Sequence, residues 1–113
     1  MKRPKKVAVG HVVYDIRTEE RLSEITGTSG TCGQDVQTIL IDDQLGPDQE
    51  RETVLHELLH AIFYATSAHR LLEELEKTAE MKDLEENFIQ PLASRLLELL
   101  RDNPDLVKYL ISP

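Results

Sequence analysis

Hydrophobic and polar residues alternate in two stretches of the N-terminal half, and each stretch predicts a β-strand. Residues 7–16 are mostly β-branched or aromatic, with an approximate period of two. Because both faces of this stretch are largely apolar, we expect a strand that is covered on both sides. Residues 36–43 alternate in the same way and predict a second strand.

The residues between these strands follow a different pattern. Leu22 and Ile25 are three positions apart behind Thr18, which is suited to cap a helix start, and they predict a short helix. Gly27 is suited to end that helix. Residues 27–35 contain glycines among small polar residues, which predicts a loop or a hairpin corner.

Apolar residues recur at helical spacing through much of the C-terminal half. One helix is predicted from residue 47 to about residue 67, and residues 54–65 are apolar on nearly all sides, as is typical of a helix buried in the middle of a domain. A second helix is predicted over residues 84–102, with a kink or a new start at Pro91. Residues 103–110 begin with Asn-Pro-Asp and predict a short final helix. This order of elements is typical of an α+β fold.

Length and composition limit the classes of protein that fit this pattern. With 113 residues, of which 40% are hydrophobic, the chain is long enough for one domain with a modest core. It has no apolar run of the roughly 18 residues that a membrane helix needs, and its start lacks the apolar centre of a signal peptide. Its single cysteine, Cys32, cannot form an internal disulfide. We therefore expect a cytoplasmic protein that does not enter a membrane.

The charges divide the chain into a basic start and an acidic body. Thirteen basic residues stand against 21 acidic ones, for a net charge of −8, and the start is the basic segment MKRPKK. We expect residues 1–6 to form a flexible basic tail and residues 7–113 to form a single domain. The acidic body disfavours nucleic acid as a partner, because nucleic acid binds clustered lysine and arginine.

The central predicted helix contains the motif His56-Glu57-Leu58-Leu59-His60, an HExxH. Histidines four apart lie one helical turn above each other, so both imidazoles can bind one metal ion, and the pattern favours Zn²⁺. Glu57 is rotated about 100° from His56, which places its carboxylate beside the metal. There it could act as general base toward a metal-bound water. We therefore expect a zinc metallopeptidase that acts on a peptide or protein substrate.

Catalytic zinc sites usually have a third protein ligand, and the residues alone leave several candidates. The metzincin pattern is excluded, because the chain has Phe63 and Thr66 where that pattern requires glycine and histidine. His69 would face away from the motif if the helix continued. The acidic candidates are Glu73, Glu74, Glu76, Glu80, Glu85 and Glu86. Helical periodicity centres Glu85 on the apolar stripe of the next helix and puts Glu86 at its edge.

The chain resembles the small single-domain HExxH proteins of phages and prophages, which are similar to minimal gluzincins of the zincin superfamily. The segments TILIDDQLGPDQERETVLHELLHAI and EENFIQPLASRLLELLRDNPDLVKYL carry the similarity, which covers most of the chain. In that group a later helix bears a glutamate ligand two residues before a pair of large apolar residues. Here that pair is Phe88-Ile89, so the resemblance implies Glu86 as the third metal ligand, beside His56 and His60.

The resemblance also implies a zincin-like arrangement, in which the strand before the metal-binding helix forms the upper rim of the cleft. Residues 36–41 would then offer backbone groups to an extended peptide. Gln90 stands where gluzincins commonly have an aspartate that orients a histidine. Tyr64 lies 80° from His56 on the helix and is a candidate to face the metal; the alternative is a core tyrosine bonded to a carbonyl group. Cys32 is expected to be an ordinary loop residue. The alternative to an enzyme is a metal-stabilised binding or regulatory protein of phage type, with the same site and no turnover.

Overall fold

The computed structural model describes residues 2–65 and 81–113, and the side chains of residues 2–65 and 91–113. Within these residues the chain is an α+β fold, as predicted, with one mixed sheet and helices packed against it. The strands are β1 (Lys6–Val9), β2 (Val12–Glu19), β3 (Gly30–Gly33) and β4 (Thr38–Asp42). The helices are α1 (Leu22–Thr26), α2 (Pro47–Ala65), α3 (Met81–Asp102) and α4 (Pro104–Ile111).

The strands lie in the order β1-β2-β4-β3. Antiparallel pairs join β1 to β2 and β3 to β4, while β2 and β4 run parallel. This order places β4 inside the sheet and leaves β1 and β3 as its two edges. The second predicted strand is therefore confirmed as β4, but its backbone is paired on both sides, and the prediction that residues 36–41 form a free rim is wrong.

The predicted single strand over residues 7–16 is instead a β-hairpin. Val9 pairs with Val12 across a two-residue loop, whose first residue, Gly10, has a φ of 64°. Glycine adopts this left-handed conformation readily, and a type II′ turn requires it at that position. The hairpin is apolar on both faces but covered on one: Tyr14 is buried, whereas Val13 is 48% exposed. The prediction of a strand covered on both sides is therefore wrong.

Helix α1 is shorter than predicted. Strand β2 continues through Thr18, so that residue does not cap the helix, and Arg21 precedes α1 in a left-handed conformation with a φ of 57°. The predicted end is confirmed, since Gly27 has a φ of 77° and its N–H donates to the Ser23 carbonyl.

Helices α2, α3 and α4 contribute the apolar side chains that cover the inner face of the sheet. Helix α2 buries a single stripe, made of Thr53, Val54, Glu57, Leu58, Ala61 and Ile62. Leu55 and Leu59 are each 37% exposed, so the prediction of a helix buried on nearly all sides is wrong. One buried face and one open face are what a helix at the wall of a cleft requires.

Contacts at the ends of the chain join the helices to the sheet. Helix α3 continues through Pro91, and α4 begins at Pro104 as predicted. The Asn103 side chain does not cap α4; it bonds the backbone of Ala8 in β1 instead. Near the N-terminus, Arg3 donates to Thr18 at 2.6 Å, and β1 already includes Lys6. Among the described helices, none combines the length and the apolar character that crossing a membrane demands.

Candidate metal centre

The two histidines of the motif converge, as their spacing predicts. Their Nε2 atoms lie 3.2 Å apart, and their ring centroids are 4.9 Å apart. Both residues are on the open face of α2, and the His56 side chain is 66% exposed. The two imidazole nitrogens are therefore directed at the same place on the surface. A bridging proton or a cation bound there would relieve the repulsion between their lone pairs.

Glu57 lies beside the histidines on the neighbouring, buried side of α2. Its side chain is 7% exposed, and its Oε1 is 4.0 Å from the Nε2 of His56, which is beyond hydrogen-bond length. Within the described part of the chain, no hydrogen-bond donor satisfies this carboxylate. Because a buried carboxylate without a donor is costly, Glu57 is suited to a partner that enters from outside, such as a water or an ion.

An open cleft of about 450 Å³ lies between the histidine side of α2 and strand β3. Its lining consists of Thr28, Ser29, Gly30, Thr31, Cys32, Gln49, Glu52, Thr53, His56, Glu57, His60 and Tyr64. The rim strand is thus β3, which the sequence analysis assigned to a loop. The segment Gly-Thr-Cys-Gly has no hydrophobic period that would predict a strand. The sequence feature that could have indicated one is the turn that joins this segment to the alternating residues of β4.

Gly30 allows β3 to approach α2 closely. A Cβ atom at this position would lie 2.7 Å from the Thr53 Cγ2 and 3.2 Å from the Glu57 Cγ. The first distance is shorter than real contacts permit, so only glycine fits without displacing a neighbour. The glycine thereby helps to set the distance between the rim strand and the Glu57 side chain.

The outer edge of β3 presents backbone groups to the cleft. The Asp42 N–H donates to the Ser29 carbonyl, so the bonded pairs of this antiparallel ladder continue at Thr31 and Gly33. The N–H and C=O groups of Gly30 and Cys32 therefore point away from β4. Nothing in the described residues pairs with them.

Cys32 and Tyr64 both line the cleft. Burial raises the pKa of the Cys32 thiol to about 11, and the negative charge of Glu57 adds to the increase. The thiol is therefore protonated at neutral pH and lacks the thiolate character of a reactive cysteine. The prediction that Cys32 lies in a loop is wrong, because Cys32 belongs to the rim strand β3 and packs against the core.

The third ligand predicted from the resemblance, Glu86, lies in α3, but its side chain is outside the described residues, as is that of Glu85. The side chains of His69 and of the other acidic candidates also fall outside them. Among the described side chains, no group of three or more His, Cys, Asp or Glu residues is close enough together to hold a metal ion. The described part of α3 does reach the motif, since Leu92 borders an apolar hollow together with His56 and His60.

The geometry of the two described histidines fits a zinc ion. Two nitrogens bound to one tetrahedral zinc at ~2.0–2.1 Å lie about 3.3 Å apart, and the histidine nitrogens are separated by 3.2 Å. The carboxylate of Glu57 accepts no hydrogen bond from the described residues, and it lines the same cleft without occupying the point between the two histidine nitrogens. Comparison of the chain with protein-family models, curated proteins and solved structures finds no match.

Proposed function

We propose that the chain is a zinc-dependent peptidase, with a zincin-like arrangement in which His56, His60 and Glu86 hold the metal and Glu57 is the general base. The observation that carries the proposal is the pairing of two features in one cleft. The histidine nitrogens converge to 3.2 Å, and the buried carboxylate between them in sequence has no donor among the described residues. A purely structural histidine pair gives no reason for such a carboxylate.

When bound, zinc polarises the scissile carbonyl and lowers the pKa of a water to about 7. The chain supplies the proton transfer. A Glu57 oxygen takes the proton of the attacking water and then gives it to the nitrogen of the leaving amine. The buried position of Glu57 restricts its rotamers, so the carboxylate stays directed at the cleft through both transfers.

A peptide is the substrate class that the rim strand favours. The outward N–H and C=O groups of Gly30 and Cys32 can pair with an extended backbone, as a strand pairs with a sheet edge. Such pairing recognises the main chain of any extended peptide. It would lay the peptide along the cleft between β3 and the histidines of α2.

The assignment of Glu57 is tested by Glu57→Gln, which keeps the size of the side chain and removes its basicity. The expected result is an unchanged zinc content and a loss of at least about 100-fold in the rate of peptide hydrolysis. Zinc is measured by elemental analysis, and hydrolysis by mass spectrometry of a random peptide library. Glu20→Gln, an exposed change outside the cleft lining, is the matched control and should retain full activity.

The outcomes separate the enzyme from a metal-binding protein without turnover. Hydrolysis that survives Glu57→Gln would reject the general base. Zinc bound by a wild-type chain that cleaves nothing in the library would favour the binding or regulatory alternative. The third ligand is assigned in the same assay, because Glu86→Gln should weaken zinc binding and Glu85→Gln should not.

A further inference from the structure

The described side chains that line the cleft include acidic residues but no basic counterpart among lysines and arginines. The two acidic residues are Glu52 and Glu57. Glu57 is buried, whereas Glu52 is exposed to solvent. A substrate entering this cleft therefore meets one accessible carboxylate.

Glu52 lies one helical turn before His56, on the side of α2 that faces the cleft. It differs from the other acids at the start of this helix. Asp48 pairs with Arg51 at 3.2 Å, and Glu50 accepts from the Tyr109 hydroxyl at 2.6 Å. Glu52 has no ion pair or hydrogen bond to any described residue.

The basic residue nearest to Glu52 in the sequence, Arg51, is bonded to groups outside the cleft. The Nε of Arg51 donates to the Tyr109 carbonyl at 3.1 Å, and its terminal nitrogens reach Asp48 and the Pro113 carbonyl. These bonds direct the guanidinium toward α4 and away from the cleft. The carboxylate of Glu52 thus keeps its charge available for a molecule lying between α2 and β3.

We infer that Glu52 is a specificity-determining residue, which selects peptides with a lysine or arginine side chain beside the scissile bond. The inference rests on the proposed function, since it gives the substrate class of the same site. A basic side chain gains an ion pair with Glu52. An acidic side chain at the same position is repelled by the Glu52 carboxylate, which adds discrimination against the wrong substrate.

The test uses labelled octapeptides of alanine and threonine that carry one lysine, glutamine or glutamate at each position in turn. Binding is measured by fluorescence anisotropy on zinc-loaded Glu57→Gln protein, so that no turnover is needed. An exposed ion pair contributes ~0.2–1 kcal/mol. We therefore expect the lysine peptide to bind up to about five times more tightly than the glutamine peptide at one register.

Three variants locate the effect, each made in the Glu57→Gln background. Glu52→Gln should abolish the preference, and Glu52→Lys should reverse it in favour of glutamate. Glu20→Gln removes an equal charge outside the cleft and should leave the preference unchanged. Raising the salt concentration should weaken the lysine preference, because it depends on exposed charges.

Cleavage of the same peptides by the wild-type chain separates this inference from the proposed function. Selective binding of lysine peptides without cleavage would support the role of Glu52 and reject the peptidase. Cleavage without a basic preference, or with one that survives Glu52→Lys, would overturn the role of Glu52 and leave the peptidase standing. An absence of both binding and cleavage would overturn both.

Discussion

The two edges of the sheet are finished in different ways. At the β1 edge, the side-chain amide of Asn103 donates to the Ala8 carbonyl and accepts from the Ala8 N–H, both at 2.9 Å. At the β3 edge, the outward backbone groups of Gly30 and Cys32 have no partner in the described residues. Exposed sheet edges invite pairing with other chains, so proteins usually block them. The β1 edge is therefore blocked at Ala8, whereas the β3 edge is left open at the cleft, as a site for an extended peptide requires.

The largest predicted effect concerns the thiol of Cys32, in the strand at the open edge. At pH 8, metal-free Cys32 should react with iodoacetamide roughly 100-fold more slowly than in the unfolded chain, because its pKa is raised from 9.0 to about 11. Its rate should keep rising with pH up to about 11. Mass spectrometry in buffer and in urea measures both rates. A profile that levels near pH 9 in the folded protein would show that the thiol is not turned toward the core.

The closed edge should be sensitive to loss of its amide. Asn103→Ala removes three hydrogen bonds, including one from Nδ2 to the Leu99 carbonyl at 2.7 Å. At ~1 kcal/mol for each bond, the free energy of unfolding should fall by about 3 kcal/mol. Urea denaturation measures the change.

Gln34→Ala, on an exposed turn, is the control for Asn103→Ala and should cost less than ~0.5 kcal/mol. Zinc binding by folded Asn103→Ala should equal that of the wild type, because the β1 edge is not part of the cleft. A loss of stability no greater than in the control would contradict the role given to Asn103.

A smaller effect is expected from Gly30→Ala at the open edge. The added methyl would meet Thr53 at 2.7 Å, and overpacking of this kind typically costs ~1–3 kcal/mol, so we expect about 2 kcal/mol. Peptide hydrolysis should fall further than stability explains, because the rim strand and Glu57 move apart. Gly46→Ala is the matched control, since a Cβ there meets nothing within 4 Å. Equal activity of the two variants would show that the spacing of β3 and α2 does not matter.

The sequence predicts the parts of this fold that have a clear local period. Residues 38–42 alternate, and the starts of α2 and α4 are marked by Pro47 and Pro104, so these elements are confirmed. The pattern does not predict the hairpin, because the stretches before and after Gly10 are similarly apolar, which conceals the turn between the two strands. Strand β3 was missed because two of its four residues are glycines.

The candidate site also contains parts that a local sequence pattern predicts and parts that it does not. The spacing of His56 and His60 on one helix is sufficient to bring their nitrogens together, since the helical period is a local property. The burial of Glu57 depends on the close packing of β3 against α2, which is a contact between residues far apart in the sequence. The third ligand likewise depends on how α3 packs against α2, and no local pattern specifies that register. Glu86 therefore stays a prediction.

Zinc stoichiometry in histidine variants tests the central claim most directly. Elemental analysis after dialysis should find one zinc per chain in the wild type and none in His60→Ala. His11→Ala removes an exposed histidine in the hairpin turn, outside the cleft lining, and should leave the zinc content unchanged. A wild-type chain that binds no zinc, or a His60→Ala variant that retains it, would contradict the shared metal site.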